Sequence, residues 1–186
     1  MNNTLKTMKK SIFCLALVAI TASCTAGNKQ QQVASDTLEE ATVSQTVEAS
    51  DQLAPDFTLN DIQGKPLTLS SLRGKYVILD FWGSWCPWCI KGFPQMKEYY
   101  KKYEGKFEIL GIDCNDPEEK WKAAVEQHEL PWLQVYCPRS SKLLEEYSIQ
   151  GFPTKIVIGP EGQIVKTIIG EDPAFYTFLD ELFKEG

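Results

Sequence analysis

Histidine is almost missing from this chain: His128 is the single one among 186 residues. It has no neighbour that would make it a catalytic base, so it reads as a surface residue near a helix end. Clustered positive charge is missing too. Nineteen Lys and Arg stand against 25 Asp and Glu, a net charge of −6, with no basic patch interleaved with aromatics, which excludes nucleic acid as a partner. The apolar stretch Ile12–Ile20 is far short of the ~20 residues that cross a bilayer. Internal repeats are lacking, and residues 53–186 hold no low-complexity tract.

What is present sorts into three segments. Residues 1–23 have the layout of an export signal: Lys6, Lys9 and Lys10, then the apolar stretch, then Thr21-Ala22-Ser23 before a cut. Cys14 lies inside that signal and would leave with it. Residues 24–52, rich in Gln, Ser, Thr, Ala and Glu, bury too little to offset their ordering entropy and read as a flexible tether. Residues 53–186 carry the one folded domain, and the chain's 43 % hydrophobic residues are enough for a conventional core.

Within that domain the pattern alternates. Residues 54–59 and 66–69, separated by Asn60-Asp61 and Gly64, read as a hairpin. Tyr76–Trp82 reads as a buried strand, followed by a helix over Ile90–Tyr103 whose Lys97, Lys101 and Lys102, with Lys106 beyond, form a solvated face. Residues 106–113 form a second core strand. Asp116-Pro117-Glu118-Glu119 predicts a helix opened by an aspartate cap and running to His128. A short strand at 132–136, a short helix at 140–147, an antiparallel pair at 155–158 and 163–169, and a closing helix at 173–184 complete an α/β reading: a mixed central sheet covered on both faces.

Chemistry concentrates at Trp82-Gly83-Ser84-Trp85-Cys86-Pro87-Trp88-Cys89, where the strand ends and the helix begins. Free N–H groups and the positive end of the helix dipole point at Cys86, which stabilises its thiolate and makes it a nucleophile. Cys89, a turn further in, can attack a mixed disulfide formed on Cys86, and that is dithiol–disulfide exchange. The chemistry needs sulfur alone, with neither cofactor nor metal. A zinc site would have to recruit Cys114 and Cys137, which lack knuckle spacing. A c-type haem needs histidine after the second cysteine, where Ile90 stands. Cys114 and Cys137 each end a strand at the sheet edge that carries Cys86. They are expected to be neighbours, either as a second disulfide or as two separate buried thiols, with electron relay to the first pair as a further possibility.

Ala54-Pro55-Asp56-Phe57, Leu79 to Cys89, Gly151-Phe152-Pro153-Thr154 and Gly159-Pro160-Glu161-Gly162 together resemble the thioredoxin-like superfamily, and within it the TlpA/ResA-like extracytoplasmic branch related to AhpC/TSA proteins. The resemblance covers residues 53–184. It implies a thioredoxin-like fold and a thiol:disulfide oxidoreductase working as a reductant. It also implies a cis Pro153 whose neighbouring backbone pairs with a substrate chain, and a buried acid, Asp80, that takes the proton from Cys89. Trp85, Pro87, Trp88, Phe152 and Pro153 would line the substrate side, with Trp82 in the core. The implied partners are cysteine-containing exported proteins and a membrane thiol donor.

One departure stands out: some branch members that reduce apocytochrome c carry glutamate three residues after the second cysteine, and this chain has Gly92. Thr21-Ala22-Ser23-Cys24 further resembles a lipobox, which implies lipidation at Cys24 and a periplasmic domain anchored to a membrane of a Gram-negative-type bacterium. Two other classes share the fold. A thiol peroxidase needs Pro-x-x-x-Thr-x-x-Cys, but Leu79 and Gly83 occupy the Pro and Thr positions. A non-catalytic tethered binding module has no reason to keep Cys86, Cys89, Asp80 and Pro153 together.

Overall fold

The computed structural model describes residues 52–184. The signal, Cys24 and the tether up to residue 51 lie outside them. Seven strands make one sheet: β1 (Thr58–Asp61), β2 (Pro66–Thr68), β3 (Tyr76–Trp82), β4 (Phe107–Cys114), β5 (Leu133–Cys137), β6 (Thr154–Ile158) and β7 (Ile164–Ile169). Their order is β2-β1-β5-β4-β3-β6-β7, with β3, β4 and β5 parallel and the remaining pairings antiparallel. The N-terminal hairpin therefore joins the sheet by pairing β1 with β5, and β3 lies between β4 and β6.

Burial of β3 on both faces explains its unbroken apolar run, which hides the alternation that a half-exposed strand would show. One face holds Ile78, Asp80 and Trp82, and is covered by α1 (Pro87–Lys102), α2 (Glu118–Gln127) and α4 (Pro173–Leu182). The other face holds Val77, Leu79 and Phe81, and is covered by a 3₁₀ turn at Leu69–Leu72 and the short α3 (Leu143–Glu146). The right-handed β3-α1-β4 and β4-α2-β5 crossovers put α1 and α2 on the same side.

Three local expectations change. The helix read over 140–147 contracts to four residues. Pro117, not Asp116, occupies the N-cap of α2, and no side chain caps it. Asp116 instead turns toward the loop after β3, where its carboxylate accepts from Ser84 N at 2.6 Å and Ser84 Oγ at 2.8 Å. His128 is half-buried rather than at the surface, its ring 5.5 Å from that of Phe93.

Candidate active site

The strand-to-helix junction is built around its glycine. A Cβ on Gly83 would fall 2.4 Å from Trp85 Nε1 and 2.9 Å from the Cys114 carbonyl oxygen, so no side chain fits there. The threonine of a peroxidatic pattern is sterically barred at this position. The packed space lets Trp85 Nε1 donate to Cys114 O at 2.9 Å and brings its ring edge-on to Phe152, 5.1 Å between centroids. The chain then turns, Cys86 N donating to Gly83 O, and enters α1 with Cys86 as N-cap and Pro87 at the first helical position. Proline lacks the N–H that would be orphaned there anyway.

Cys86 and Cys89 are joined as a disulfide, with Cα atoms 5.3 Å apart. Both are buried, and Cys86 Sγ accepts a hydrogen bond from Cys89 N at 3.2 Å. A sulfur in this position keeps an N–H donor when the bond is reduced, so negative charge on Cys86 is met by the helix terminus. Around it the surface is aromatic: Trp85 is 48 % and Trp88 59 % exposed, while Trp82 is fully buried. Phe152 is partly buried beside Trp85, and the Phe152–Pro153 peptide is cis.

Asp80 lies two residues before Trp82 on the sheet face that α1 covers, and Trp82 meets Phe93 of α1 at 5.2 Å. It is 1 % exposed, and its Oδ1 has no hydrogen-bond partner among the described residues. Burial pushes its carboxyl up to about 6, a rise that the Lys155 ammonium opposes and the Glu171 carboxylate adds to. A carboxylate poised there is ionised at neutral pH yet still basic enough to take a thiol proton.

Cys114 and Cys137 are neighbours but not a disulfide. They stand in register on β4 and β5, and both are free, buried thiols. The Cys114 thiol donates to the Ile112 carbonyl at 3.4 Å, and the adjacent Cys137 sulfur pushes the pKa of Cys114 up while its own is lowered. Both pack in the cluster with Leu79 and Phe81, on the opposite side of the sheet from Cys86 and Cys89. The four sulfurs do not converge, so the zinc alternative lacks a common point and the relay lacks a direct path.

One group escapes a sequence reading. Asp113 pairs in register with Trp82 and is fully buried, and burial together with the Asp116 carboxylate pushes it up to about 9, keeping it neutral. Its only sequence signal is an acid at the end of an apolar strand, which resembles any strand terminus.

Comparison with known proteins agrees with this geometry. Residues 51–167 match the AhpC/TSA family model. The thiol-disulfide oxidoreductase ResA of Bacillus cereus is 40 % identical over 119 residues, which span 63 % of this chain and 68 % of that one. The thioredoxin domain of a Bacteroides vulgatus thiol-disulfide oxidoreductase superimposes with a TM-score of 0.66 at 33 % identity, over 73 % of this chain and 99 % of the other. An exposed lipoprotein thioredoxin of Streptococcus pneumoniae does so with 0.60 at 31 % identity, over 68 % and 99 %.

Proposed function

The chain belongs to the AhpC/TSA family and is a ResA-like thiol-disulfide oxidoreductase of thioredoxin-like fold; from that premise we propose that it is exported, held to a membrane through Cys24, and works in the reducing direction on cysteine-containing proteins. The observation that carries the exchange chemistry is the Cys86–Cys89 disulfide at the start of α1, with the buried Asp80 on the face beneath.

In the reducing direction, the Cys86 thiolate attacks one sulfur of a substrate disulfide. That bond breaks, its electron pair leaves on the second substrate sulfur, and a mixed disulfide forms on Cys86. Asp80 takes the proton of Cys89, whose thiolate attacks Cys86 Sγ. The mixed disulfide breaks, the substrate departs as a dithiol, and the enzyme is left as the Cys86–Cys89 disulfide. Backbone at Phe152-Pro153 pairs with the substrate chain, and Trp85, Pro87 and Trp88 form the apolar rim on which it docks. A membrane thiol donor then restores the dithiol, which an exported enzyme requires because its surroundings are oxidising.

Direction is tested by equilibrating the pair with glutathione. A potential near that of thioredoxin, about −270 mV, is expected; one near that of DsbA, about −120 mV, reverses the assignment. The export signal and Thr21-Ala22-Ser23-Cys24 support anchoring, as does the likeness to an exposed lipoprotein thioredoxin. Detergent-phase partitioning of the full chain from its native membranes tests it: wild type is expected in the detergent phase and Cys24→Ser in the aqueous phase. Wild type in the aqueous phase removes the anchor.

A further inference from the structure

Lysine is almost never fully buried unless its charge is paired. Lys155 is 1 % exposed and lies directly across from Asp80 in the antiparallel β3–β6 pairing. Its ammonium is nevertheless held by a different acid. Nζ donates to Glu171 Oε2 at 2.7 Å and sits 5.5 Å from the centroid of the Phe175 ring. The other oxygen of Glu171, Oε1, accepts from the Tyr176 hydroxyl at 2.8 Å. Both carboxylate oxygens are thus engaged, one from β6 and one from α4.

Glu171 reaches this position through a gap in α1. A Cβ at Gly92, one turn beyond Cys89, would fall 2.3 Å from Glu171 Oε2 and 2.6 Å from its carboxyl carbon. The carboxylate occupies the place where a helical side chain would otherwise begin. The connection from β7 to α4 therefore delivers a negative charge to the active-site helix, and the charge brings a buried lysine with it.

We propose that the Lys155–Glu171 pair is the positioning device for proton transfer at Cys89: Glu171, seated over Gly92, holds the Lys155 ammonium away from an ion pair with Asp80 and so keeps the Asp80 carboxylate free to accept the thiol proton. This rests on the reading that Asp80 serves Cys89. The titratable groups on the Asp80 side of the sheet are Lys155 on β6, Glu171 on the β7–α4 connection, Tyr176 on α4, Asp113 on β4, and Cys86 and Cys89 at the start of α1. Of these, Lys155 alone is cationic. With Glu171 charged, the lysine field at Asp80 is opposed. With Glu171 neutral, the lysine acts on Asp80 unopposed and favours its ionised form.

The test is the titration of the Asp80 carboxyl carbon, followed by NMR in the full-length disulfide form and assigned with Asp80→Asn. Glu171→Gln keeps the shape and removes the charge, and the Asp80 midpoint is expected to fall by about one pH unit or more, the effect of one nearby opposite charge. Glu171→Asp keeps the charge and is expected to restore the wild-type midpoint to within about half a unit. Gly92→Ala pushes the carboxylate out of its recess while favouring the helix, and it lowers the midpoint in the same sense even if Glu171→Gln fails to fold. An Asp80 midpoint that stays put in a folded Glu171→Gln or Gly92→Ala protein overturns the proposal. If the midpoints move as expected but Asp80→Asn leaves the exchange rate unchanged, the role of Asp80 fails and the electrostatic coupling stands.

Discussion

A Cys86→Ser variant is expected to lose insulin-disulfide reduction by a factor on the order of 10³ or more, the loss typical of removing a nucleophile. The reason is geometric. Cys86 Sγ is the sulfur at the N-cap of α1, met by Cys89 N, and Cys89 lies one turn further into the helix. Cys89→Ser is expected to behave differently. It still attacks, but it cannot resolve, so it accumulates as a mixed disulfide with its substrate that reductant releases. Because Trp88 is 59 % exposed in the free protein, its fluorescence is expected to change in that trapped complex as the substrate chain covers the rim. Undiminished exchange by Cys86→Ser would sink the assignment of nucleophile. A silent tryptophan signal in the trapped complex would remove the rim from the docking surface.

Replacing Asp80 with Asn is expected to slow exchange and stabilise the fold at once. Burial raises the Asp80 carboxyl from 3.8 to about 6, so the folded protein binds this proton more tightly than the unfolded chain does. The stability that the proton confers is present below pH 4, falls as pH rises through about 6, and is gone above that. Asparagine does not ionise. Asp80→Asn is therefore expected to exceed wild type in unfolding free energy by up to about 3 kcal/mol at pH 8, with the gap closing toward pH 4. Denaturant melts across that pH range measure it. In the same variant, turnover at pH 7 is expected to fall by about 10² or more, the usual worth of a positioned base. Equal stability at pH 8 would show that Asp80 is not carried as a costly buried charge.

The sheet, its helices and the exchanging sulfurs were legible because each rests on local pattern: a continuous apolar strand, a helical period, and a proline at the first helical position between two cysteines. What was not legible depends on where side chains point once the layers close. Asp116 has the residue type and spacing of a helix cap, yet Ser84, 32 positions away, offers two donors and the side chain turns to them. Cys114 and Cys137 were correctly placed at one edge. Only the strand register shows that they share a face, where both stand as free thiols. Lys155 opens a strand in the sequence, with nothing beside it to mark a buried charge. Glu171 lies in the short connection before the helix that begins at Pro173, where sequence pattern assigns it no role. Their pairing spans 16 residues and the active-site helix, and its single local trace is the missing side chain at Gly92.

The sheet also acts as a bulkhead between two stores of sulfur. An electrochemist working with the native enzyme reads a single two-electron couple, because Cys114 and Cys137 sit behind β3 and β4 and neither meets solvent nor the exchanging pair. Whatever potential is recorded without unfolding belongs to the outer couple alone. The inner thiols are carried through each catalytic cycle as spectators.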